Sequence, residues 1–204
     1  MTAGTGECCA IRAKRKELAS GICRKTATAE SEDEMKTIDV FFDTEFTNIN
    51  PHAIPGLISI GCVSVDGREF YAELTDTWNE GMCSSFVIET VLPLLDGGDR
   101  RMTVEQLAAR LKEWIEGLGD DEVVLRSDAR DWDWRFIQAI FDGYGWPANL
   151  CRKCEAINFE NSNHLHGFKV GQMNYWKTNK AHQHHALVDA RSMHFAWKYA
   201  MKGL

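Results

Sequence analysis

Long apolar runs are missing from this chain of 204 residues, and so is an excess of positive charge. No stretch approaches the roughly eighteen consecutive apolar residues that a membrane-spanning helix needs. No apolar segment follows basic residues near Met1, so neither a span nor a secretory signal is expected. Lys and Arg total 23 against 30 Asp and Glu, a net charge of −7, which excludes a protein that grips long duplexes through a broad basic face. A disulfide framework is also absent: seven cysteines, an odd number at irregular spacing, fit reduced thiols and a cytoplasmic protein. No internal repeat is visible. What is present is apolar material enough for a core, 44% of residues including seven Trp, without help from disulfides.

Composition divides the chain in two. Residues 1–35 hold Gly, Ala, Thr and clustered charge (AKRKE, then ESEDE) without sustained periodicity, and are expected to be a flexible tail, with Met35 an alternative start. Glu7, Glu17 and the acidic run to Glu34 argue against a mitochondrial presequence. From residue 36 to 204 one α/β domain is expected. Ile38 to Glu73 reads as three strands, with Asp66-Gly67 as a two-residue turn between the second and third. Thr103 and Gln106 form a capping-box pattern ahead of Val104, Leu107, Ala108, Leu111, Ile115 and Leu118 at helical spacing. Glu122 to Arg126 reads as a further strand, followed by a helix, an irregular region and a last helix.

Three strings carry chemistry. In IDVFFDTEF, Asp43 and Glu45 stand two apart at the end of an apolar strand, so both side chains leave the same face. Two carboxylates so placed repel unless a cation lies between them, although a strand running out into a polar turn would look the same. In HHALVDA, His184 precedes Asp189 by five. At about 100° per residue that offset separates two faces of one helix, so both serve one site only if His184 lies in the loop before it. His185, four before Asp189, is the rival candidate. In DWDWRFIQAIF, Asp133 falls in the opening turn of an amphipathic helix, where a carboxylate is equally explained by the helix dipole and by capping of free amides; for Asp128 and Asp131 that explanation is preferred.

Taken in order, DTE, WDxxFI and HxAxxDA resemble the three motifs of the DEDDh branch of the DnaQ-like 3′ to 5′ exonucleases. Trp132, Phe136 and Ile137 select Asp133 over its neighbours, and Ala186 selects His184 over His185. The stretch from Phe41 to Leu74 is similar to the start of small bacterial and phage 3′ to 5′ exoribonucleases, and the similarity runs from about Lys36 to Lys198. The resemblance implies a ribonuclease-H-like fold: a mixed five-stranded sheet, three antiparallel strands plus parallel strands, with helices on both faces. It implies two Mg²⁺ or Mn²⁺ ions on Asp43, Glu45, Asp133 and Asp189, with His184 as general base. It further implies that Thr44 and Phe46 help form the pocket for the terminal nucleotide, and it allows a homodimer. One departure concerns the substrate backbone: the segment SDARDWD has Asp128 and Ala129 where ribonuclease T and oligoribonuclease members commonly have Asn-Ala.

Between Asn161 and Val188 there is no Asp or Glu, while Lys169, Lys177, Lys180 and five histidines are interleaved with Phe168, Tyr175 and Trp176. Such a stretch suits single-stranded nucleic acid and is read as a polar loop walling the site. Cys151 and Cys154, with His164 and His166 after them, are a weak zinc pattern at spacings off the common finger. The favoured function is exonucleolytic cleavage at single-stranded or overhanging RNA 3′ ends. Alternatives are the same chemistry on DNA 3′ ends and a non-catalytic or zinc-stabilised nucleic-acid-binding module.

Overall fold

The computed structural model describes residues 36–50, 52 and 54–202, so the expected tail over residues 1–35 lies outside the described residues. β1 (Thr37–Phe46), β2 (Leu57–Ser64) and β3 (Glu69–Leu74) form an antiparallel meander. β5 (Glu122–Ser127) runs parallel to β1 on its other side. Two-residue strands complete the sheet: β4 (Arg101–Met102) beside β3 and β6 (Glu155–Ala156) beside β5, both parallel. The sheet therefore has six strands in the order β4-β3-β2-β1-β5-β6, not the expected five. Two residues are too few to display alternation, so such edges leave no periodic signature. The mixed sheet with helices on both faces is compatible with the ribonuclease-H-like arrangement expected.

The β2–β3 connection also differs slightly. Val65, Asp66 and Gly67 form a three-residue loop closed by a Gly67 N–H to Ser64 C=O bond of 2.8 Å. Gly67 sits at φ +94°, where a side chain would be strained, so the glycine ends the turn instead of sharing its centre.

Alternation along β1 sorts its side chains between two cores. Val40 and Phe42 face α1 (Val104–Glu116) and α2 (Arg130–Tyr144), packing with Leu107, Leu111 and Ile137. Phe41 faces α4 (Ala186–Lys202), its ring 5.5 Å from Trp197. Each fully buried side chain of this size contributes about 1.5–3 kcal/mol. α1 starts with the expected capping box: the Gln106 N–H donates to Thr103 Oγ1 at 3.3 Å and the Thr103 N–H donates to Gln106 Oε1 at 3.0 Å.

Two glycine contacts place α4. Gly61 of β2 pairs with Asp43 of β1, and a Cβ on it would lie 2.3 Å from the Leu187 main chain. The first turn of α4 thus rests on bare strand backbone. On its other side, α3 (Ser162–Asn179) packs so closely that a Cβ on Gly171 would be 2.8 Å from Ala196 Cα. The expected irregular region is therefore a helix. Its apolar periodicity is weak because glycines, which carry no hydropathy signal, make its contact with α4.

Candidate active site

Asp43 and Glu45 leave β1 on the α4 face, at the end where α4 begins. Thr44, between them, points to the opposite face, where its hydroxyl donates to Asp133 Oδ1 at 2.6 Å. Ser127, the last residue of β5, donates its hydroxyl to the other oxygen of Asp133. The two parallel strands therefore hold the α2 carboxylate between them, and Asp133 is 1% exposed.

On the other side, His184 precedes α4 and adopts φ +73°, in the left-handed region that costs a non-glycine residue about 1–3 kcal/mol. This conformation turns its N–H onto Asp189 Oδ2 at 3.0 Å. The second Asp189 oxygen is buried with no hydrogen-bond partner. Ligand atoms of Glu45, His184 and Asp189 lie within 4.8 Å of one another. All five expected residues, with Thr44 and Phe46, line one pocket of about 460 Å³.

Burial and like charge keep these acids protonated beyond the ordinary carboxylate range. Desolvation raises Asp43 well above its usual value, and Asp133, Glu45 and Asp189 add to it. Glu45 is pushed up to about 9 by desolvation and then by Asp189 and Asp133. Asp189 rises to about 7 through desolvation, against the pull of the His184 N–H. Asp133 reaches only about 6, because its two hydroxyl donors oppose the desolvation. Burial and Lys180 lower the His184 imidazole, favouring its neutral form.

His185 is directed away from the pocket. It is buried, stacked on Tyr71 with ring centroids 4.5 Å apart, and its Nε2 lies 3.7 Å from Asp96. Asp131 stands in the first turn of α2, where the helix dipole favours it as expected; the N-cap is Ala129, without a side-chain hydrogen bond. Asp131 is paired with Arg130 at 3.2 Å. Asp128 instead stands accessible at the pocket rim, crowded enough that desolvation raises its carboxyl, and its charge raises Asp43, Asp133 and Asp189. Sequence reasoning missed it, although the departure at SDARDWD marked the position. Gln172, Trp176 and Gln183 also line the pocket. Trp176 stands on helix α3, not in a loop as expected.

One wall is aromatic. Phe46 and Trp132 stack with centroids 5.8 Å apart and planes at 14°, and the Arg135 guanidinium lies 4.3 Å from the Trp132 centroid. Trp132 is half-exposed, so the stack presents a flat apolar edge to the pocket. Among the described residues, Cys151 and Cys154 do not gather with His164 and His166 into a metal group; the one cluster that does form is the Glu45, His184, Asp189 set.

The donor set fits a hard divalent ion. It offers carboxylate oxygens with no thiolate, the mutual repulsion needs a cation to relieve it, and an Asp189 oxygen is buried without a donor, while the His184 imidazole stands beside them. Mg²⁺ or Mn²⁺ suits such ligands.

No protein-family model and no curated protein matches this chain. Among solved structures it is similar to the family B DNA polymerase from the hyperthermophilic archaeon Pyrobaculum calidifontis, at 13% identity and a TM-score of 0.43, over 82% of this chain. The match spans 26% of that polymerase, so this chain corresponds to about a quarter of its length. Among the described residues no helix is long and apolar enough to cross a membrane.

Proposed function

We propose that this protein is a divalent-metal-dependent 3′ to 5′ exonuclease acting on single-stranded or overhanging RNA ends. The observation that carries the reading is the convergence of Glu45, His184 and Asp189 to within 4.8 Å beside Asp43, all carrying raised or unmet charge except the neutral imidazole. Asp43, Glu45, Asp133 and Asp189 would hold two Mg²⁺ or Mn²⁺ ions, which supply charge stabilisation for both the entering and the departing oxygen of a phosphodiester.

The chain's own groups do the rest. His184, kept neutral by burial, takes the proton from the attacking water, and the Asp189 contact to its main chain fixes where the imidazole stands. Attack at phosphorus breaks the bond to the 3′ oxygen of the preceding nucleotide, which leaves as an alkoxide and takes a proton from solvent, and a nucleoside 5′-monophosphate is released. The Phe46 and Trp132 stack offers the terminal base a flat partner. Thr44 both braces Asp133 and lies on the pocket wall. A pocket of about 460 Å³ is large enough for one terminal nucleotide.

Incubation of the purified protein and Mn²⁺ with 5′-labelled RNA and DNA oligomers of equal sequence tests this directly. The expected result is a ladder shortening from the 3′ end of the RNA. Internal cuts, or shortening of the DNA alone, would overturn the proposal.

A further inference from the structure

Outside the candidate pocket, the exposed face of α4 carries a groove of about 570 Å³ lined by Tyr175, Phe195 and Tyr199 and rimmed by Arg191, Lys198 and Lys202. Phe195 is 43% exposed, unusual for a ring on a helix whose opposite face is already packed. A second hollow of about 460 Å³ shares Tyr175 and Arg191 with the first and adds Arg100, His182 and one acid, Asp96.

The charge is concentrated. From Asn161 to the end of the chain Asp189 is the sole acid, against Lys169, Lys177, Lys180, Arg191, Lys198 and Lys202, in a protein of net charge −7. Arg191 is the one rim cation already engaged, by a bidentate contact to Glu69 with both distances 2.7 Å. Lys198 and Lys202 make no ion pair among the described residues.

The rings form a series. Trp176, which lines the candidate pocket, meets Tyr175 at 5.2 Å, Tyr175 meets Phe195 at 5.7 Å, and Phe195 meets Tyr199 at 6.4 Å. Aromatic rings in series beside cations are the chemistry that binds single-stranded nucleic acid without regard to sequence, because every base has a face to stack and every link a negative charge.

We infer that the outer face of α4 is a second contact surface for single-stranded polynucleotide, holding the part of a strand that lies outside the candidate pocket. The inference rests on the exonuclease reading for the polarity of that strand, with its 3′ end in the pocket and the remainder over Tyr175, Phe195 and Tyr199. Short fragments would occupy the pocket alone, so affinity should depend on length.

Fluorescence anisotropy in EDTA, where no hydrolysis proceeds, with labelled oligouridylates of about 3 and about 12 nucleotides reads this out. The longer oligomer should bind at least about ten-fold tighter than the shorter, and more steeply with falling salt. The K198E/K202E variant should lose most of that gain, and F195A/Y199A about three-fold or more of it, with binding and Mn²⁺-dependent cleavage of the short oligomer unchanged in both. Equal affinity for the two lengths in the unaltered protein, or a gain that survives K198E/K202E, overturns the inference. So does a K198E/K202E protein that binds the long oligomer normally yet changes its oligomeric state by light scattering, which would assign this face to a second copy of the chain. Failure of the unaltered protein to cleave the short oligomer would instead defeat the exonuclease reading, and the length-dependent binding would stand by itself.

Discussion

Glu45 and Glu73 lie in one row of the sheet, each paired in register with Ser59 between them, yet their surroundings are opposite. Glu73 is 3% exposed and fully provided for: it accepts from the Asp96 N–H at 2.6 Å, the Gly97 N–H at 3.1 Å and the Tyr71 hydroxyl at 3.0 Å. Glu45 accepts from no donor among the described residues and is raised to about 9 by burial and by two further carboxylates. A buried acid furnished with amides is a structural brace, whereas a buried acid furnished with other acids is waiting for a cation. Within the candidate site the contrast is graded: each Asp133 oxygen accepts one hydroxyl and keeps a further lone pair for a cation, whereas Asp189 keeps an oxygen with no donor at all.

The comparison breaks first under substitution of the acids. Asp189→Asn and Glu45→Gln should each lower Mn²⁺-dependent hydrolysis by about 10³-fold or more, with no loss of unfolding free energy in EDTA. Glu73→Ala should do the reverse, costing about 2 kcal/mol in urea denaturation by leaving two part-buried amides without their acceptor. Equal destabilisation by the two classes would erase the distinction. Gly61→Ala should come next: its methyl group must displace the start of α4, costing about 1–3 kcal/mol and weakening Mn²⁺ binding measured by calorimetry.

Titration sharpens the contrast further. Asp133, Asp189 and Glu45 carry folded-state values of about 6, 7 and 9, all above those of the unfolded chain. The folded protein therefore holds protons that the unfolded chain has released, and stability without metal is greatest at low pH and is lost as pH rises through these values. Thermal melting in EDTA should show Tm falling between pH 6 and 9 across these values, and Mn²⁺ should flatten the slope. A Tm that rises over that range in EDTA would contradict the burial of these acids. The smallest effect expected is at the strained residue: His184→Gly should be about 0.5–1 kcal/mol more stable than His184→Ala, because glycine accepts the positive φ, while both lose activity.

Part of the site could be read from periodicity, whereas the choice of Asp133 over its neighbours and of His184 over His185 rested on the motif resemblance. Alternation put Asp43 and Glu45 on one face, and the five-residue offset required His184 to precede the helix that carries Asp189, as the main chain shows. Other parts had no local signature. α3 owes its place to Gly167 and Gly171 against Ala200 and Ala196, contacts of backbone that no apolar period reports. β4 and β6 are too short to alternate. Asp128 looked like a cap because a carboxylate before a helix has an inexpensive local explanation, and only the tertiary arrangement turns it to the pocket rim.

The bare main chain of Gly61 under Leu187 acts as a spacer of fixed thickness. Because Gly61 stands opposite Asp43, the gap between the strand acids and those of the last helix is gauged by peptide atoms alone. Repacking the hydrophobic layers elsewhere can harden or soften this protein without retuning that gap.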